Sequence, residues 1–235
     1  VTAPILITGA GQRIGLAFAQ HCLDHQQPII VTYRRRKTAI DELERNGAVC
    51  LHADFATNDG VADFLDRLTA TTGSLRAIIH NASDWLPESR EMTPEHVIQT
   101  MLQVHTTAPY LINLRCRSLL EAGEGPRDII HMTDYVVDKG SAKHIAYAAS
   151  KAGMANLTLS FARLLAPRVK VNSVAPSLIL FNDHDDGDYR AKTLKKSLLE
   201  VEPGTGVAVE TLQFLLDNSY LTGHTIALDG GRHLK

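Results

Sequence analysis

Tyr147 and Lys151 stand four residues apart in Tyr147-Ala148-Ala149-Ser150-Lys151, near the start of a segment patterned as a helix. That spacing puts a phenol and an ammonium on one helix face. An ammonium beside a phenol favours the phenolate, so Tyr147 is expected to give or take a proton near neutral pH. Tyr-x-x-x-Lys arises often by chance, so the pair gains weight only from its companions.

Two companions suit an anionic ligand. Thr8-Gly9-Ala10-Gly11-Gln12-Arg13-Ile14-Gly15 lies between the first apolar run and the first helical pattern. Glycines there let backbone approach a pyrophosphate, while the helix N-terminus offers free N–H groups and the positive end of a dipole. Gly9, Arg13, Ile14 and Gly15 are the expected contacts. Arg34-Arg35-Arg36-Lys37 follows the second apolar run, where a site selecting NAD would carry an acid for the ribose 2′-hydroxyl. Cations sit badly at a helix N-terminus, so a phosphate partner explains them better than solvent does. Arg34 and Arg35 suit a 2′-phosphate, and NADPH is the expected cofactor. Asp54, ending the third apolar run, is placed to accept from the adenine amino group.

These residues need a frame, and the apolar pattern supplies one. Short runs at 4–8, 28–33, 48–53, 75–80, 128–133, 169–174 and 225–228 read as strands. Helical patterns fall between most of them, including two stretches that part near His105 and a helix over 145–166. Near-continuous apolar strands alternating with helices imply one doubly wound α/β domain over residues 1–235, a seven-stranded parallel sheet with helices on both faces. The segment from Pro176 to about Tyr189 is irregular, with acids crowding its second half. It follows the sixth strand, where open α/β sheets bind ligands, and so reads as a substrate lid reaching to about residue 200. Its Asp183, Asp185, Asp186 and Asp188 resemble a calcium loop only superficially, because the glycine is misplaced for one.

Composition narrows the partners. The chain has 235 residues, 44% hydrophobic and 21% charged, with a formal net charge of −2. That is ordinary for a globular domain and gives no general pull toward nucleic acid or an anionic membrane. Cys22, Cys50 and Cys116 are odd in number and far apart, which suits reduced thiols in the cytoplasm. No apolar stretch is long enough to span a bilayer, and no signal-like segment opens the chain. His21 and His25 have metal-ligand spacing on the first helix but lack a third ligand, so no metal is expected.

Taken in order, the glycine turn, Asn81-Ala82-Ser83 after the fourth strand, Tyr147…Lys151 and a closing Leu228-Asp229-Gly230-Gly231 resemble the short-chain dehydrogenase/reductase family. The resemblance covers essentially the whole chain. Arg13 stands where that family usually has glycine, which resembles the pteridine reductase branch. The likeness implies that Tyr147 and Lys151 hold the nicotinamide ribose, that Asn81 and Pro176 also border the cofactor, and that the enzyme is a homotetramer. It further implies that Ser83 and Arg13 touch the pterin edge or the cofactor phosphates, and that Trp85 stacks on the pterin.

Two positions depart from the common family pattern. Asp134 occupies the place, thirteen residues before the tyrosine, where the family commonly has serine. An ionised carboxylate there would repel the negative charge that builds on a ketone oxygen, but could serve a C=N group whose nitrogen gains a proton. A purely structural Asp134, with Thr133 supplying the hydroxyl, stays open. His105 replaces the usual asparagine, and both a proton relay and a packed histidine fit. The implied reaction is NADPH-dependent reduction of 7,8-dihydromonapterin to its tetrahydro form, with Tyr147, Lys151 and Asp134 catalytic and dihydrofolate a weaker substrate. A general ketone reductase and a catalytically silent NADPH-sensing protein are the alternatives.

Overall fold

The structure, a computed structural model, describes residues 2–89 and 91–235. Seven parallel strands form one sheet: β1 (Ile5–Ile7), β2 (Ile29–Tyr33), β3 (Val49–His52), β4 (Ala77–His80), β5 (Asp128–Met132), β6 (Lys170–Pro176) and β7 (Thr225–Leu228). Their spatial order is β3-β2-β1-β4-β5-β6-β7, as a doubly wound sheet requires. Helices α1 (Arg13–Asp24), α2 (Thr38–Arg45) and α3 (Asn58–Thr71) connect the first four strands. Next come α4 (Pro94–Leu102), α5 (Ala108–Arg115), α6 (Arg117–Glu121), α7 (Val136–Lys139) and the long α8 (Ile145–Leu165). Finally, α9 (Gly187–Leu194) and α10 (Gly206–Asp217) lie between β6 and β7.

Strand side chains alternate between two cores, which is why both faces are apolar. Ile5, Ile7, Ile29, Val31 and Ile79 point to one face, against Phe18 and Cys22 of α1, Ile40 of α2 and Leu212 of α10. Leu6, Ile30, Ile78, Ile129 and Val171 point to the other, against Phe64 and Leu68 of α3, Ile112 of α5 and Phe161 of α8. Burying one such side chain contributes roughly 1.5–3 kcal/mol, so the sheet is a rigid platform for the loops at its edge.

β1 pairs with both β2 and β4, so the chain runs outward to β3 and then crosses back. That reversal opens a crevice at the carboxyl ends of β1 and β4, where this class of sheet holds ligands. The expected break near His105 is a widened π turn, Gln103–Thr107, joining α4 to α5. The expected lid is not irregular throughout. Asp186 caps α9 by accepting the Tyr189 N–H, and α9 occupies its second half. A second irregular stretch, residues 81–89, follows β4. Among the described residues no helix is long and apolar enough to cross a membrane, and Cys22, Cys50 and Cys116 are free thiols.

Candidate active site

The cleft at the switch point has a volume of about 510 Å³. Gly9, Arg13, Ile14, Arg34, Arg35 and Asp54 line one half. Asn81, Ser83, Asp134, Tyr147, Lys151 and Pro176 line the other. The sequence expectations converge on one place, with two exceptions, Gly15 and Trp85.

The turn after β1 depends on its glycines for close packing. Gly9 has φ +70°, and a Cβ there would come 2.8 Å from Cα of Ala82. Its N–H donates to Thr32 Oγ1 at 3.0 Å. Gly15 does not line the cleft. A Cβ there would lie 2.4 Å from Asn81 Nδ2 and 2.7 Å from the Gly9 carbonyl, so its role is to let the helix start approach the turn. Asn81 is also turned inward: Nδ2 donates to the carbonyls of Thr8 at 3.1 Å and Gly9 at 3.0 Å. Its Nδ2 clamps the turn, while the residue itself lines the cleft. Arg13, at φ +55°, donates to the Leu180 carbonyl at 2.6 Å and to Asn182 Oδ1 at 3.0 Å, tying the turn to the loop after β6.

The basic cluster divides in two. Arg36 faces away from the cleft, paired with Asp41 at 2.7 Å and with Glu44. Arg34, Arg35 and Lys37 line the cleft, with Arg34 paired to Asp84 at 2.7 Å. Asp54 accepts the Ala56 N–H through Oδ1 at 3.0 Å, which fixes its carboxylate at the end of β3. Gln12 and Lys37, from the same two motifs, also line this half, as do Asp84 and Phe55, which nothing local in the sequence marked.

The other half sets the buried Lys151 beside the half-buried Asp134 and Tyr147, each held by hydrogen bonds. The Tyr147 hydroxyl donates to Asp134 Oδ2 at 2.9 Å, and Asp134 Oδ1 accepts the Val136 N–H at 3.0 Å. Lys151 Nζ donates to the Met132 carbonyl at 2.7 Å and lies 5.7 Å from the centre of the Tyr147 ring. The expectation that Lys151 lowers the Tyr147 pKa does not hold. Burial first, and then the Asp134 carboxylate, push the phenol well above its usual 10.0. Burial also raises the Asp134 carboxyl, while it pulls Lys151 down to about 8 against the attraction of Asp134. The phenol is therefore held protonated. Thr133 cannot serve as the alternative hydroxyl, because it is buried and donates to the Val174 carbonyl at 3.0 Å.

Trp85 lies outside the cleft lining. Its ring is 55% exposed and leans on His144, with centroids 4.7 Å apart. The Asp84 carboxylate accepts the Trp85 N–H at 3.0 Å and shapes the irregular chain there. His105 is fully buried in the π turn, its Nδ1 2.8 Å from Ser150 Oγ and its Nε2 2.8 Å from Ser83 Oγ. Burial and the nearby Lys151 charge lower its pKa to about 2, so it is neutral.

Similarity to known proteins follows the same lines. Residues 3–186 match the short chain dehydrogenase family. Dihydromonapterin reductase of Escherichia coli O6:K15:H31 is 53% identical over 233 residues, 99% of this chain and 97% of that protein. The dihydromonapterin reductase of Shigella flexneri matches with the same identity and coverage. Among solved structures, FolM alternative dihydrofolate reductase 1 from Brucella canis, complexed with NADP, superposes with a TM-score of 0.88 at 25% identity, covering 99% of this chain and 94% of that one.

Proposed function

The chain belongs to the short chain dehydrogenase family, and from that premise we propose that it reduces 7,8-dihydromonapterin to the tetrahydro form with NADPH. One contact carries the choice of substrate: the Tyr147 hydroxyl donates to the Asp134 carboxylate at 2.9 Å. A phenol whose pKa burial and a carboxylate have raised is a poor acid toward a ketone oxygen. It is a far better match for an imine nitrogen, which is much more basic. The carboxylate also favours a ring that becomes cationic as it is protonated and opposes one that becomes anionic.

The residues present suit the cofactor. Arg34, Arg35 and Lys37 line the cleft and supply positive charge for a 2′-phosphate, beside the glycine turn that opens α1. Gly9, Arg13 and Ile14 would border the pyrophosphate, Asp54 the adenine, and Tyr147, Lys151 and Pro176 the nicotinamide end. NADPH bound there would supply the hydride for pterin C6. Tyr147 holds the proton destined for N5, Asp134 orients that phenol, and Lys151 steadies the phenolate left behind. Ser83 and Arg13 contact the substrate edge, and the segment from 176 to about 200 acts as a lid that Arg13 already tethers. The 53% identity to dihydromonapterin reductases supports the substrate, and the NADP-bound FolM structure supports the cofactor and a weaker dihydrofolate activity.

Exposed apolar side chains on α5 and α8, including Tyr110, Leu114 and Leu159, support association between copies, and the family resemblance makes the expected assembly a homotetramer. Free thiols support a cytoplasmic setting. NADPH oxidation measured with dihydromonapterin, dihydrobiopterin, dihydrofolate and a panel of simple ketones tests the reading. The expected order places dihydromonapterin first and ketones at background; ketone turnover matching that of the pterins overturns it.

A further inference from the structure

We propose that His105 is a positioning residue that fixes the Ser83 hydroxyl as a hydrogen-bond acceptor on the cleft wall, so that the site selects a substrate edge of N–H donors. The inference rests on the dihydropterin reading and adds the residue that sets its polarity.

The hydrogen inventory leaves His105 no choice of tautomer. The Asp84 backbone N–H donates to Nε2 at 3.3 Å, and a backbone amide can only donate, so Nε2 carries no proton. On the other side, Ser150 Oγ gives its one hydrogen to the Tyr147 carbonyl at 2.7 Å. Nδ1, 2.8 Å from that oxygen, must therefore be the protonated nitrogen. A bare Nε2 2.8 Å from Ser83 Oγ then takes the Ser83 hydrogen, in preference to the Asp84 carbonyl at 3.4 Å and to the nearby Tyr147 phenol oxygen, a weaker acceptor than an imidazole nitrogen. What Ser83 offers the cleft is lone pairs alone.

This arrangement does not conduct protons. The series Ser83, His105, Ser150 ends on the Tyr147 backbone carbonyl, which cannot pass a proton on. The ring is neutral, fully buried and occupied at both nitrogens, so no charge alternates on it. Its packing is also fixed, edge-on to the Tyr147 ring with centroids 5.3 Å apart. The π turn is what brings the ring to this place: Gln103–Thr107 sets His105 pointing into the protein between α4 and α8.

Ser83 Oγ and the Asp134 carboxylate both line the cleft, and both are acceptors. A ligand burying an acceptor against either would leave two lone-pair groups facing each other without hydrogens, at a desolvation cost. A ligand edge bearing ring N–H or amino groups satisfies them. A dihydropterin has such an edge and a simple ketone does not.

The test compares His105→Phe, His105→Gln and Ser83→Ala with the wild type. Phe keeps the ring but removes the Nε2 acceptor; Gln restores an acceptor at that distance and serves as the conservative rescue. Binding of 2-amino-4-oxopteridine to the NADP+ complex is read by fluorescence titration, alongside kcat, KM and NADPH affinity. His105→Phe and Ser83→Ala are each expected to weaken pteridine binding and raise KM up to about tenfold, the loss of one hydrogen bond to the ligand. The kcat and NADPH affinity should stay near wild type, and His105→Gln should recover most of the loss. A double variant no worse than either single one is expected, since both act on one contact. A fall in kcat with pteridine affinity intact would overturn the proposal in favour of a relay, as would additive losses in the double variant. Should His105→Phe fail to bind NADPH, Ser83→Ala and His105→Gln still decide it: unchanged pteridine affinity in the former, or affinity in the latter no better than in Ser83→Ala, refutes it. Failure of the wild type to turn over any dihydropterin would instead refute the proposed function.

Discussion

The two halves of the cleft use opposite physics. On the β2 side, Arg34 and Asp84 meet in solvent, with side chains 48% and 26% exposed. On the β5 side, Lys151 and His105 are buried, Asp134 and Tyr147 half-buried, and all four are bonded into fixed positions. Exposed charges can be exchanged for a ligand's charges at little cost, because water compensates each loss. Buried groups cannot be rearranged cheaply, so they hold a proton in one place. The first half is built to bind and release, the second to keep geometry.

The largest effect expected of a single change falls in the buried half. Tyr147→Phe removes the proton donor and leaves the ring that packs on His105. It should lower kcat by at least ~100-fold, the usual weight of a positioned acid. NADPH affinity, measured by fluorescence titration, should change little, because the exposed half supplies most of the charge that binds it. Activity retained within an order of magnitude would mean another group donates the proton.

That asymmetry also governs what could be read from the chain. Tyr147 and Lys151 lie one helical turn apart, so their meeting is a local matter and was legible. The strands were legible because parallel sheets bury both faces. Arg34 and Arg35 were legible by position at the end of β2. Asp84, the partner of Arg34, was not, because only the crossover from β3 to β4 brings residues so distant in sequence together. Gly15 was legible as a turn glycine, but its close approach to Asn81, which also lines the cleft, needs the turn to fold against the end of β4. Trp85 does not line the cleft, and residues 81–89 adopt no regular structure from which its direction could be inferred. The phenol pKa was assigned the wrong direction since spacing reports the neighbouring ammonium but not burial.

Acid should expose the buried half next. His80 and His131 are fully buried and stacked, with centroids 5.0 Å apart, and they share Asn113: His80 lies 2.7 Å from its Oδ1 and His131 3.2 Å from its Nδ2. Burial lowers His80 to about 4 and His131 well below 6.5, and His105 falls to about 2. Each has a folded pKa below its unfolded value of 6.5, so below that pH the unfolded chain binds more protons. Stability is therefore present above pH 6.5 and is lost as the pH falls toward 4, by up to ~1.4 kcal/mol per pH unit for each histidine. Asp134, whose folded pKa is raised, acts in the opposite sense, but it is one group against three. Thermal melts between pH 8 and pH 5 should show Tm falling steeply below about 6.5; a flat profile would mean that these histidines take up protons in the folded state.

The smallest effects, and the sharpest contrast, belong to the exposed half. Arg34 cannot serve Asp84 and a 2′-phosphate equally, so cofactor binding competes with the ion pair. Arg34→Ala should weaken NADPH by roughly 10-fold or more, the worth of a charge-assisted bond, and leave NADH nearly unchanged. Asp84→Asn should act in reverse. An exposed pair contributes about 0.2–1 kcal/mol, so freeing Arg34 should tighten NADPH by no more than about fivefold. Salt screens such a pair, so the gain should shrink as ionic strength rises. Titration of both variants with NADPH and NADH at low and high salt separates these effects. Weaker NADPH binding by Asp84→Asn would mean that Asp84 holds Arg34 in its binding position, and the exposed half would then be as fixed as the buried one.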